Sequence, residues 1–87
     1  MDEYAKLRAL LDLAEGLGIA IRPAPAGHDA DHPGGALVTV RGRQMLFLDS
    51  DGSVADRIAV VAEALRGRAE LETMYLPPEV RQLIDGD

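Results

Sequence analysis

The chain has 87 residues, carries nine basic against fifteen acidic side chains for a net charge of −6, and contains no cysteine. That length makes one small domain, which buries roughly 60–65% of its unfolded surface and has neither a disulfide nor a thiolate metal site to stiffen it. The acidic balance argues against nucleic acid and anionic membranes as partners, since both are held by clustered Lys and Arg, and Tyr4, Phe47 and Tyr75 are too few for base stacking.

Asp2 to Gly16 is expected to form a first helix, with Tyr4, Leu7, Leu10, Leu11, Ala14 and Leu17 on one side and Asp12 and Glu15 on the other. Asp2 and Glu3 stand where the helix dipole favours negative charge. This opening is interrupted by charge every few residues, unlike a secretory signal, and no stretch reaches the roughly eighteen apolar residues of a membrane span. A cytoplasmic protein is the expectation. Ile19 to Arg22 then alternates as a short strand, stopped by Pro23 and Pro25. Residues 23–35 hold three prolines and three glycines, and no apolar residue larger than alanine, so they form a loop.

Ala36 to Asp49 is expected to be a β-hairpin broken at Arg41-Gly42-Arg43. A three-residue loop with Gly42 left-handed would pair Thr39 with Arg43 and Val38 with Gln44. One face would then carry Ala36, Val38, Leu46 and Leu48, the other Leu37, Thr39, Met45 and Phe47. A two-residue loop would mix these sets, because slipping one residue exchanges the faces. In either register both faces are apolar, so helices cover one and something else, such as a second copy of the chain, covers the other.

Ser53 to Arg66 has the clearest periodicity in the chain. Val54, Ile58, Val61, Ala62 and Leu65 form one broad stripe, and Ala59, Val60 and Ala64 extend it round the helix. Ser53 and Asp56 have capping-box spacing, and Gly67 suits the C-terminal end. In Ala69 to Leu76 the prolines at 77 and 78 bar an ordinary helix from running through Leu76. Pro78 fits the first turn of a last helix, Glu79 to Ile84, with Val80, Leu83 and Ile84 inward.

Three groups could carry chemistry. His28-Asp29-Ala30-Asp31-His32 contains every histidine and offers ligands for zinc, nickel or cobalt, in a loop that leaves the rings unfixed. Asp49 to Ser53 begins like a calcium loop. An EF-hand also needs glycine at position six and glutamate at twelve, and Val54 and Val60 stand there instead. Asp51, Gly52 and Ser53 are better read as a turn and cap, with a lesser reading as an anion site at the helix N-terminus. Arg22, Arg41 and Arg43 could gather at one end of the sheet, as an anion pocket or in ion pairs with nearby acids. No nucleophile elbow, phosphate loop or dinucleotide fingerprint occurs, and no cofactor is expected.

The order helix, strand, loop, hairpin, helix resembles the core of small bacterial zincin-like metallopeptidases of the ImmA/IrrE type. Its carriers are "LAEGLGIAIR", "GGALVTVRGRQMLFLD" and "SVADRIAVVAEALRG", over residues 7–68. The resemblance implies an H-E-x-x-H motif on the last of these helices. Ala62-Glu63-Ala64-Leu65-Arg66 stands there, so Glu63 is kept and both metal-binding histidines are missing. The segment "YLPPEVRQLI" lies outside the resemblance.

The sequence is therefore read as an α+β domain, a short antiparallel sheet packed on two or three helices. Its expected function is non-enzymatic, through protein contacts and most of all with its own copies, burying Leu37, Met45, Phe47, Tyr75 and Leu76. The alternative is a metal- or small-ligand-binding protein using His28, Asp29, Asp31 and His32.

Overall fold

In a computed structural model of the protein, which describes residues 2–24, 35–49 and 51–86, each of the first two helices starts on a side-chain acceptor. Asp2 Oδ1 accepts from the Ala5 amide at 2.7 Å and opens α1 (Glu3–Gly16). Ser53 Oγ accepts from the Asp56 amide at 3.0 Å and opens α2 (Val54–Leu65). Both bonds satisfy amides that have no partner inside the helix. Pro78 sits in the first turn of α3 (Pro78–Asp85), which ends on Gly86 in the left-handed conformation.

Between the first two helices lie β1 (Ala20–Pro23), β2 (Gly35–Val40) and β3 (Arg43–Leu48), in the sheet order β1-β3-β2. The α+β class and the element order follow the sequence reading. The sheet is mixed, however, and not wholly antiparallel: β2 and β3 form the hairpin, while β1 runs parallel to β3 with Ile21 opposite Leu46. The hairpin also takes the two-residue loop. Val40 pairs with Arg43 and Val38 with Met45, one residue out of the expected register. The reason is the turn, in which Arg41 joins Gly42 at positive φ (52° and 79°), the backbone of a type I′ connection.

That register sorts the side chains. Leu46 and Leu48 point to the helices and are buried, and Ile21 and Leu37 share their face. α2 lies at the centre of the cover, touching α1, α3, β2 and β3. Ile58, Val61, Ala62, Ala64 and Leu65 of α2 join Leu7, Leu10 and Ala14 of α1 in one core, closed by Val80 and Ile84 of α3. Ala59 remains exposed, and so does Tyr4, which was expected to face inward. Tyr4 lies at the open end of α1, one turn beyond the first buried leucine. The described residues form two layers, with the helices on one side of the sheet, and the principal extents are 37 × 32 × 18 Å.

The stretch after α2 is a 3-10 turn over Ala69–Thr73, consistent with the expectation that no ordinary helix reaches Pro77. Arg68 ties it down. Its guanidinium donates to Gln44 Oε1 on β3, to the Leu17 carbonyl at 3.4 Å, and to both carboxylate oxygens of Glu70. Arg66 Nε donates to the Ile84 carbonyl at 2.8 Å and so holds the C-terminal turn of α3, where a cation is favoured.

Candidate functional site

Strand alternation puts Met45 and Phe47 on the side of the sheet away from the helices, and pairing adds Val38, Ala36, Ala20 and Arg22 to them, with Val40 and Arg43 in the row nearest the turn. Val38 and Val40 are 37% and 46% exposed, and Met45 and Phe47 are half-buried. A two-layer domain commonly leaves one sheet face to water, but that face is then polar. Here the centre of the face is apolar.

Leu37 does not belong to it. Expected beside Met45 and Phe47, it sits opposite Leu46 on the covered side, and it is partly exposed because β2 is an edge strand. There it lines a groove of about 390 Å³ with Val60, Glu63 and Ala64 of α2. Leu76 is likewise removed from the expected contact surface, being 9% exposed and part of the core. Its neighbour Tyr75 is the most exposed large apolar side chain among the described residues, at 86%.

The three arginines do come together. Arg22, Arg41 and Arg43 line one shallow pocket of about 220 Å³ whose floor is Ala20, Val40 and Met45. Arg22 donates to its neighbour's carbonyl, Ile21 O, at 2.8 Å. Among the described residues the ion pairs are Arg8–Asp12 and Arg68–Glu70, so none of the three arginines is matched to an acid there. Glu15 lines the adjoining groove along β1 with Arg22 and Arg43 but forms no such pair.

The turn before α2 is occupied by its own bonds. The Asp51 amide donates to Asp49 Oδ1 and the Gly52 amide to the Asp49 carbonyl, each at 3.0 Å, and the Ser53 hydroxyl caps the helix. Asp51, Gly52 and Ser53 thus act as a turn and cap. His28, Asp29, Asp31 and His32 lie outside the described residues, and among those described no group of three or more His, Cys, Asp or Glu could hold a metal. Glu63 is exposed on α2. No helix among the described residues is long and apolar enough to cross a membrane.

Among the described residues one pair carries a perturbed titration. The hydrogen bond from Arg68 holds the Glu70 carboxyl below its ordinary range, and the same bond raises Arg68. This pair anchors the 3-10 turn and stands apart from the exposed sheet face. Sequence reasoning missed the wider anchor because Gln44 and Leu17, the other acceptors of the Arg68 guanidinium, are far from it in the chain. No family model, curated protein or solved structure matches the chain.

Proposed function

We propose that this chain is a non-enzymatic interaction domain that associates with its own copies through the face of its sheet that the helices leave open. One observation carries the reading: Val38, Val40, Met45 and Phe47 form a continuous apolar centre on the side of the sheet that the helices leave open. Such a patch on a small domain marks a contact surface, and covering it adds the burial that a chain of this size lacks. Composition rich in Ala, Gly and Arg, with no helix suited to a membrane among the described residues, supports a bacterial, cytoplasmic setting. The element order is also that of the peptidase core the sequence resembles, and a relative that keeps Glu63 without its histidines would retain the scaffold and lose the metal chemistry. Sedimentation velocity across micromolar concentrations tests the proposal. A rising weight-average mass is expected, and a constant single-chain mass refutes it.

A further inference from the structure

A pocket of about 300 Å³ opens between the 3-10 turn and α3, a size at the lower end for small-molecule sites. α3 touches α1 and α2 and no strand among the described residues, so the pocket belongs to the helical layer and not to the open sheet face. It lies towards the hairpin turn, where Arg68 reaches Gln44. Ala24 and Gly35, the described residues that border 25–34, both meet Leu48 at the other end of β3.

The floor of the pocket is apolar, made by the buried Leu71, Leu76 and Ile84. Its walls carry both signs of charge. Arg68 and Glu72 line one side, and Arg81 and Asp85, one helical turn apart on α3, line the other. These charges are not equivalent. Both carboxylate oxygens of Glu70 accept from Arg68, so that guanidinium is matched within its own turn. Arg81 is half-buried, and its Nη2 donates to the Leu71 and Met74 carbonyls at 3.3 and 3.2 Å. Those bonds fix the guanidinium without neutralising it and leave its other N–H donors for a ligand. Glu72 and Asp85 are exposed, and neither forms an ion pair among the described residues. Asp85 also stands in the last turn of α3, where the helix dipole disfavours an acid and favours a cation. Arg66 bonds the Ile84 carbonyl at this end, yet it neither pairs with Asp85 nor lines the pocket.

The pocket thus combines a fixed guanidinium, two carboxylates and an apolar floor. We infer that it binds a free aliphatic α-amino acid of about the size of leucine. The ligand carboxylate meets Arg81, whose planar fork suits it, the ammonium lies between Glu72 and Asp85, and the side chain rests on Leu71, Leu76 and Ile84. A simple anion of this shape would meet the two acids unrelieved, and a simple amine would leave Arg81 unmatched; a zwitterion answers both. The guanidinium is already held by the Leu71 and Met74 carbonyls, so little ordering is left to be done on binding. This site and the self-association of the sheet face are independent, and either can fail without the other.

Methyl NMR of the wild-type chain, titrated with L-leucine, isocaproate and isoamylamine, tests it. The last two are leucine without its amine and leucine without its carboxylate. Leucine should shift the methyls of Leu71, Leu76 and Ile84 saturably, with a Kd on the order of 1 mM, and each half-ligand should bind about tenfold more weakly or worse. Glu72→Gln with Asp85→Asn should weaken leucine by about tenfold without weakening isocaproate, a split that a merely structural loss does not produce. Circular dichroism establishes that the variant folds, and Asp85→Asn alone carries the same comparison should the double variant fail to. The site is overturned by the absence of a saturable shift at tens of millimolar leucine, by isoamylamine binding as tightly as leucine, or by variants that bind leucine undiminished.

Discussion

Gly35 begins β2 at a point where a side chain has nowhere to go. A Cβ built there would lie 1.9 Å from the Phe47 carbonyl oxygen, 2.9 Å from its carbon and 3.0 Å from Leu48 Cα, all backbone atoms of β3. Reaching even the shortest tolerable separation means moving backbone by about 1 Å, since no flexible side chain can yield. The φ of +137° adds a second penalty, because side-chain-bearing residues at such angles cost about 1–3 kcal/mol. The chain can relieve both by unpairing Gly35 from Leu48, at the loss of ladder bonds worth about 1 kcal/mol each. The cheaper escape sets the cost, so Gly35→Ala should destabilise by about 2–3 kcal/mol. For a chain of this size that lowers Tm by roughly 8–24 °C, read by thermal or urea unfolding. Gly16→Ala is the control. Gly16 sits at the end of α1, a Cβ built there meets nothing within 4 Å, and the substitution should stabilise by about 0.5–1 kcal/mol. A Gly35→Ala loss below about 0.5 kcal/mol would refute the assigned hairpin register at this end.

Three further outcomes are expected. Arg41 occupies a left-handed position that asparagine tolerates better, so Arg41→Asn should raise stability by about 0.5–1 kcal/mol in urea unfolding, whereas a three-residue loop would gain nothing. Because the Glu70 carboxyl is held low by Arg68, its stabilising contribution is complete above the ordinary carboxylate range and is lost as pH falls through the lowered value. Glu70→Gln should therefore unfold earlier than wild type at neutral pH, with the difference closing in acid; a pH-independent difference would contradict it. For the histidine loop, calorimetric titration with zinc should give no heat that depends on His28 and His32, and heat abolished by His28→Ala or His32→Ala would favour the metal-binding alternative.

The elements legible in the sequence were those whose signals are local. The stripe from Val54 to Leu65 has helical spacing over three turns, Asp2 and Ser53 are acceptors at the right offsets, and Pro77-Pro78 both stops one segment and starts the next. The hairpin was visible but its register was not, because the turn places an arginine where Asn, Asp or Gly is usual, and the expected loop used Gly42 alone. That one-residue difference moved Leu37 to the covered side and brought Val38 and Val40 to the exposed one. The parallel pairing of β1 with β3 has no local signature, since parallel neighbours are not joined by a tight two-residue turn whose residues could be read. Leu76 and Tyr75 are adjacent in a stretch without regular period, so nothing in the sequence tells which of them is buried. The clustering of three arginines was conceivable from the sequence, but their shared floor of Ala20, Val40 and Met45 depends on the register.

The central claim is that the sheet face the helices leave open is where copies meet, and side-chain NMR through a dilution series tests it most directly. The methyl resonances of Val38, Val40 and Met45 and the ring of Phe47 should shift as the protein is diluted, while those of the buried Leu10, Leu46 and Val61 stay in place. Shifts confined to Leu37, Val60 and Ala64 in the groove beside α2, or no shift at any of these positions, would contradict it.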